Sequence, residues 1–153
     1  WEVETVNGLF AGFLSAFGCM VGGQLCGRWD SKAVYAGVGA LMASLTLLWA
    51  FLPMTPHVFV GMGMVYSFAV GLAYAAFTGF VLEAIGGGAA ATKYNIFASL
   101  SNTPIAYMGV VLAWVVESYD AKAMLLAETA TGIGGIVILG IAASILLRKP
   151  AAA

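Results

Sequence analysis

The sequence has 153 residues, of which 62% are hydrophobic and only 8% are charged, and its formal net charge is −1. A soluble domain carries about a quarter charged residues, so this chain cannot cover a water-facing surface. We therefore expect the lipid bilayer to surround it. The absence of a Lys/Arg cluster argues against nucleic acid as a partner. The single histidine, His57, excludes a histidine-rich metal site.

Charged residues and prolines divide the sequence into five apolar runs. Each run is near the roughly 20 residues that cross about 30 Å of hydrocarbon as a helix. The predicted spans are residues 5–27, 33–52, 58–84, 94–116 and 124–147. The runs lack the alternation of barrel strands. The sequence thus predicts an all-α, multi-pass integral membrane bundle of five transmembrane helices, forming a single membrane domain over residues 1–153. The short connections predict that consecutive helices are antiparallel neighbours.

Basic residues are unequally divided between the two sides of this predicted bundle. The connection between the fourth and fifth spans lies on one side, and Lys122 is the only basic residue predicted there. The basic residues of the opposite side are Arg28, Lys32, Lys93, Arg148 and Lys149. Basic connections are retained in the cytoplasm, so we expect a cell (inner) membrane protein with its C-terminus in the cytoplasm.

The connection after the first span, Gly23-Gln-Leu-Cys-Gly-Arg-Trp-Asp-Ser-Lys32, resembles a cytoplasmic loop motif of the major facilitator superfamily. That motif is approximately G-x-L-a-D-r-x-G-r-[KR]. The matching positions are Gly23, Leu25, Arg28 and Lys32. Gly27 stands where the motif has an acid, and Asp30 stands where it has a second glycine. A basic loop that only sets topology is the alternative interpretation.

The segment from Ala73 to Glu117 resembles helices ten and eleven of the same superfamily, in the branch of muropeptide permeases and acetyl-CoA transporters. The likeness lies in Ala-Thr-Lys-Tyr at 91–94, in residues 97–100 and in Pro104. It implies that the five spans are helices eight to twelve of a twelve-helix carrier that works by alternating access. The sequence begins with Trp1 rather than methionine, and we expect its missing partners to be the N-terminal helices of the same carrier.

This resemblance suggests a cytoplasmic gate. Its residues would be Gly23, Arg28, Asp30, Lys32 and Glu83. Glu83, at the cytoplasmic end of the third span, either reaches the interface or pairs with a base across the bundle. We expect Arg28, at the same depth, to be that base and to form a latch with Glu83.

Polar groups near the middle of the fourth span suggest a solute pathway. Asn102 either holds the bundle through an interhelical hydrogen bond or contacts solute. Pro104 leaves the Leu100 carbonyl without its helical donor, which predicts a bend. Tyr74 and Tyr107 either pack or line a cavity. The predicted substrate pathway comprises Ser99, Asn102, Pro104, Tyr74 and Tyr107.

Glu128 lies about one turn inside the predicted fifth span. It either reaches the headgroups or carries a proton during coupled transport. Because no catalytic motif, metal-binding pattern or cofactor motif was found, we expect neither an enzyme nor a cofactor. The predicted function is secondary active transport of a small solute, as a proton-coupled symporter of a cell-wall sugar-peptide in its most specific form. The alternative is a small-residue-rich membrane assembly subunit without its own transport activity.

Overall fold

The computed structural model describes residues 6–86 and 88–147. Thr5, Gly87, Arg148 and Lys149, which belong to the predicted spans or topology, lie outside the described residues. The helices are α1 (Ala11–Cys26), which follows a π-helical segment (Val6–Phe10), α2 (Ser31–Phe51), α3 (Pro56–Ile85), α4 (Ala90–Ser118) and α5 (Ala121–Leu147). Five helices are long and apolar enough to cross a membrane. The prediction of an all-α fold with five long apolar helices is therefore confirmed.

The helix boundaries follow from the residues at the connections. Asp30 accepts a hydrogen bond from the Ala33 N–H at 3.0 Å and so caps the start of α2. Asp120 does the same for the Ala123 N–H at 2.6 Å, at the start of α5. Gly86 has a φ of 59°, a conformation that glycine adopts more easily than other residues, and it ends α3.

The tightest packing joins α1 to α3. Gly18 and Gly22 are buried, and they face Phe68 and Leu72 of α3. A Cβ added at Gly22 would stand 2.7 Å from the Ala75 Cβ. The partners advance together along both helices, so α1 and α3 run parallel. Small residues four apart let the two backbones approach closely, and Gly18 and Gly22 do so here.

Helix α2 packs between α3 and α5 through two different kinds of surface. Toward α5, Gly132 faces Ala43 and Gly39 faces Ile136, so the contact is built from small residues. The contact with α3 is aromatic and includes Tyr35 stacked on Phe80 with ring centroids 5.5 Å apart. Both pairings are antiparallel because the partner numbers fall along one helix as they rise along the other.

The prediction that consecutive helices are neighbours is only partly correct. Helices α1 and α2 touch little, whereas the non-consecutive pairs α1–α3 and α2–α5 pack most extensively. The physical reason is the location of the small residues. Gly18 and Gly22 turn toward α3, and Gly39 and Ala43 turn toward α5.

Helix α4 is the least covered element. It is 29 residues long and contains no buried residue. Its main contacts within the described parts of the chain are with α5 and α3. One side of the bundle therefore exposes a whole helix.

Replacing Gly71 by alanine tests the contact between α1 and α3. A Cβ there would collide with the carbonyl oxygen of Ser15, which belongs to backbone and cannot rotate away. We expect Gly71→Ala to destabilise the bundle by about 1–3 kcal/mol, as overpacking does. The measurement is the thermal unfolding midpoint of the purified protein in detergent.

Gly61→Ala, in the same helix, is the matched control. Nothing lies within 4 Å of a Cβ at Gly61. Alanine there should stabilise slightly, by up to about 1 kcal/mol, because it is the better helix former. Equal unfolding midpoints for the two variants would contradict the close approach of α1 and α3.

Candidate functional site

One concave feature is a cleft formed by α2, α3 and α5, with one residue of α4 in its lining. Its volume is about 410 Å³, within the range of about 300–1,000 Å³ found for small-molecule sites. Helix α2 contributes Tyr35 and Met42, α3 contributes Tyr66, and α4 contributes Met108. Glu128 of α5 is the only charged residue in its lining.

Glu128 is held inside the bundle by Tyr66. The Tyr66 hydroxyl donates a hydrogen bond to the Glu128 carboxylate, so α3 and α5 are joined. Both side chains are partly buried. Hydrogen bonding to a carboxylate is stronger than a neutral bond, and it positions this carboxylate at the cleft instead of at the outer edge of the bundle.

Glu128 also lies deeper than the sequence predicts. Helix α5 begins at Ala121, three residues before the predicted span. Seven residues at 1.5 Å per residue place Glu128 roughly 10 Å along the axis from the helix start, about two turns in. Its bond to Tyr66 points into the bundle, and the proton-carrying role stays a prediction.

A pair of buried threonines lies beside this carboxylate. The hydroxyl oxygens of Thr46 on α2 and Thr129 on α5 are 2.8 Å apart, and the two residues are only 1% and 4% exposed. Thr129 also lies 2.8 Å from the Leu125 carbonyl oxygen, to which it can donate. A hydroxyl has one proton, so if Thr129 donates to Leu125, Thr46 donates to Thr129. The pair satisfies both hydroxyls without water.

An aromatic wall separates these polar groups from the Phe51–Pro56 connection. Trp49 is buried and packs against Phe59 and Tyr66, with ring centroids 5.5 and 6.4 Å apart. Its indole nitrogen has no hydrogen-bond partner among the described residues. Lys122 lies 5.4 Å from the Phe51 ring centroid, so the connection between α2 and α3 adjoins the start of α5.

The sequence interpretation did not place three residues of this site in their roles. Thr46, Thr129 and Tyr66 are not among the predicted site residues. The available signal was a hydroxyl inside an otherwise apolar run, which in lipid needs a partner. The identity of that partner depends on the packing of α2 against α5, which spacing along the chain does not reveal.

The residues predicted to line a solute pathway lie elsewhere. Ser99, Asn102, Pro104, Tyr74 and Tyr107 are all exposed, and none lines the cleft. Ser99 instead lies in a shallow groove along α4. The cleft thus brings together Glu128 and residues outside the predicted pathway, and the pathway itself stays a prediction.

Pro104 lies within the continuous helix α4. The nearby Ser101 hydroxyl is a candidate donor for the Leu100 carbonyl that Pro104 leaves free. The Ser101 hydroxyl instead donates to the Ala98 carbonyl oxygen at 2.8 Å. Ser101 therefore does not serve Leu100, because its rotamer points back along its own helix.

The expected partner of Glu83 requires a correction. The Lys32 ammonium lies 3.6 Å from the Glu83 carboxylate, so Glu83 pairs with Lys32 and not with Arg28. The reason is geometric, since Lys32 is in the first turn of α2, which packs on α3, whereas Arg28 is in the connection. Two other residues of the predicted gate take no part in this ion pair. Asp30 caps the start of α2, and the space around Gly23 is open, because a Cβ there would meet nothing within 4 Å.

Lys93 lies at the same end of the bundle as the Lys32–Glu83 pair. Its ammonium donates to the Ile85 carbonyl oxygen at 3.3 Å, across the turn between α3 and α4. Lys32, Glu83 and Lys93 therefore lie at one end, as the predicted topology requires. No group of three His, Cys, Asp or Glu residues that could hold a metal ion occurs in the described part of the chain.

A double-mutant cycle on Thr46→Val and Thr129→Val measures the threonine pair. We expect a coupling free energy of about 0.6 kcal/mol, the average for interhelical hydrogen bonds in membrane proteins. The measurement is the free energy of unfolding in mixed micelles. Ser44→Val is the control, because Ser44 is exposed and bonds within its own helix. Additive effects of the two threonine substitutions would show that the hydroxyls do not interact.

Charge exchange tests the ion pair. Lys32→Glu and Glu83→Lys should each lower the thermal midpoint slightly, and the double variant should recover it. The expected effect is below about 1 kcal/mol, because the side chains are 62% and 43% exposed, and high salt should reduce it further. The comparison is Arg28→Glu with Glu83→Lys. If the thermal midpoint recovers in the Arg28→Glu/Glu83→Lys variant and not in the Lys32→Glu/Glu83→Lys variant, Arg28 is the partner of Glu83.

Comparison with known proteins yields no match. No family model matches the sequence, and no curated protein or solved structure matches it significantly. We therefore infer the function of the chain from the cleft and its side chains.

Proposed function

We propose that this chain is part of a membrane carrier that moves a small solute across a cell (inner) membrane by alternating access, coupled to protons through Glu128. The observation that carries the proposal is the Glu128 carboxylate, bonded to Tyr66 at a cleft between long apolar helices. Carboxylates at such positions are expensive in lipid, and they mark ion or solute pathways.

The proposed carrier has the major facilitator arrangement, with these helices as the eighth to the twelfth. The sequence resemblance supports this assignment, and so does the exposed helix α4. A membrane helix without a buried residue can leave its apolar side chains to lipid, but its polar groups need partners on further helices. In the proposal, those further helices belong to the same carrier.

The proposed orientation places the C-terminus in the cytoplasm. Lys32 and Lys93 lie at one end of the bundle, and Lys122 lies near the Phe51 ring at the other. The end with more basic residues remains in the cytoplasm according to the positive-inside rule. The Lys32–Glu83 pair would then form a contact that opens and closes on the cytoplasmic side.

The same exposed helix favours one alternative function. A membrane assembly subunit would use α4 to bind other subunits, and it would not need a titratable group at a cleft. The two functions therefore differ in what they require of Glu128, which the following substitution tests.

Glu128→Gln in the complete carrier is the direct test. The panel of solutes comprises cell-wall sugar-peptides, peptides and small anions, and the measurement is uptake driven by a pH gradient in proteoliposomes. We expect accumulation to fall at least about tenfold, because glutamine cannot release a proton at this position. Downhill exchange of solute should persist, since it does not require net proton movement.

Glu117→Gln is the matched control, because Glu117 is an exposed carboxylate near the end of α4. It should leave accumulation unchanged. If Glu128→Gln accumulates solute with unaltered pH dependence, Glu128 is not the coupling group. Saturable uptake by the 153-residue chain reconstituted alone would contradict its assignment as one part of a carrier.

A further inference from the structure

The cleft has an unbalanced charge. Among the described residues, Glu128 is the only charged one in its lining, which contains no Lys, Arg or His from that part of the chain. Lys32 pairs with Glu83, and Lys122 lies over Phe51, so these bases serve other sites. An ionised carboxylate removed from water costs several kcal/mol unless a partner offsets it. One tyrosine hydroxyl offsets this charge only in part, so the cleft keeps a negative charge without a cationic partner.

Apart from the Tyr35 hydroxyl, which is free to donate, the side-chain hydroxyls of the cleft lining have already given their protons to other groups. The Tyr66 hydroxyl gives its proton to Glu128. Thr131 gives its proton to the Glu128 backbone carbonyl oxygen at 2.9 Å, and the Thr46 proton is used within the Thr46–Thr129 network. Only the Tyr35 hydroxyl has no hydrogen bond assigned to it among the lining residues. A lining of lone pairs repels anions and accepts donors.

The apolar part of the lining also suits a cation. The ring of Tyr35 and the thioethers of Met42 and Met108 border the cleft. Aromatic faces attract ammonium groups by about 0.5–2 kcal/mol. A hard metal ion would instead require six or more oxygen ligands, usually several carboxylates. At about 410 Å³, the cleft has room for an organic molecule.

We infer that the cleft binds an organic ammonium cation, and that this cation competes with a proton for Glu128. Binding converts the carboxylic acid and the free cation into a carboxylate–cation pair and a released proton, so charge and atoms balance. The role of this cation in transport rests on the proposed function. Competition for one carboxylate gives exchange of a cation for a proton, in place of the symport that the sequence suggested.

Few other ionisable groups face Glu128. Helix α2 presents Tyr35, α3 presents Tyr66, and α4 contributes Met108, which does not ionise. On α5 itself, Lys122 lies nearly two turns away toward the helix start. A pH dependence of cation binding should therefore follow the protonation of a single carboxylate.

Calorimetry with benzyltrimethylammonium tests the inference on the full chain in lipid nanodiscs. The probe has a fixed charge and no proton of its own. We expect saturable binding at about pH 8 that weakens on acidification, because the proton and the cation compete for the same carboxylate. Repeating the titration in two buffers with different ionisation enthalpies should show release of up to about one proton per bound cation, approaching one as the carboxyl becomes fully protonated.

Neopentylbenzene, the uncharged carbon isostere of the probe, controls for shape. It should bind at least tenfold more weakly at about pH 8 and release no proton. Glu128→Gln should lose cation binding and proton release, whereas Glu128→Asp should keep both with lower affinity. Glu117→Gln should bind like the wild type. Thermal unfolding midpoints identify any variant that fails to fold, and Glu128→Asp keeps the test decisive in that event.

Two outcomes overturn the inference. One is that the wild-type protein does not bind the cation at about pH 8, and the other is that cation and isostere bind equally well. Neither outcome affects the proposed function, because a carrier of neutral solutes would still show proton-driven uptake in the complete protein. Cation binding without any transport by the complete protein would instead overturn the proposed function and leave the binding site in place.

Discussion

The structure depends on one constraint, which is that polar groups on apolar helices must find partners within the bundle. Lipid offers no hydrogen bonds, so an unsatisfied polar group there costs several kcal/mol. Thr46 meets Thr129, and Tyr66 meets Glu128. These two contacts join α5 to α2 and to α3. The cleft lies where the three helices meet, and its chemistry is a consequence of how the polar groups are satisfied.

Small residues make these contacts possible. Ala43 faces Gly132, and the next contact along the same pair of helices is Gly39 with Ile136. The short side chains bring α2 and α5 close enough for the threonine hydroxyls to meet at 2.8 Å. They also leave space beside the Glu128 carboxylate, because glycine fills none of it. The same residues therefore produce both the packing and the cavity.

The sequence predicts the helices well because hydrophobic length and turn residues are local properties. Asp30 and Gly86 mark helix ends where the structure has them. Helix pairing was harder, since it depends on which face carries small residues on two distant helices. Glu128 could be identified as a rare carboxylate within a long apolar run, but its partner Tyr66 is 62 residues away in sequence. The choice of Lys32 over Arg28 depended in the same way on the approach of α2 to α3.

Infrared difference spectroscopy of the Glu128 carboxyl group tests its hydrogen bond to Tyr66 most directly. The C=O stretch of a protonated carboxylic acid absorbs apart from the amide bands, and its frequency depends on hydrogen bonding. We expect one such band to appear on acidification and to be absent in Glu128→Gln. The same band should shift in Tyr66→Phe, which lacks the donating hydroxyl. A band at the same frequency in wild type and Tyr66→Phe would contradict the Tyr66–Glu128 bond on which the proposed site is built.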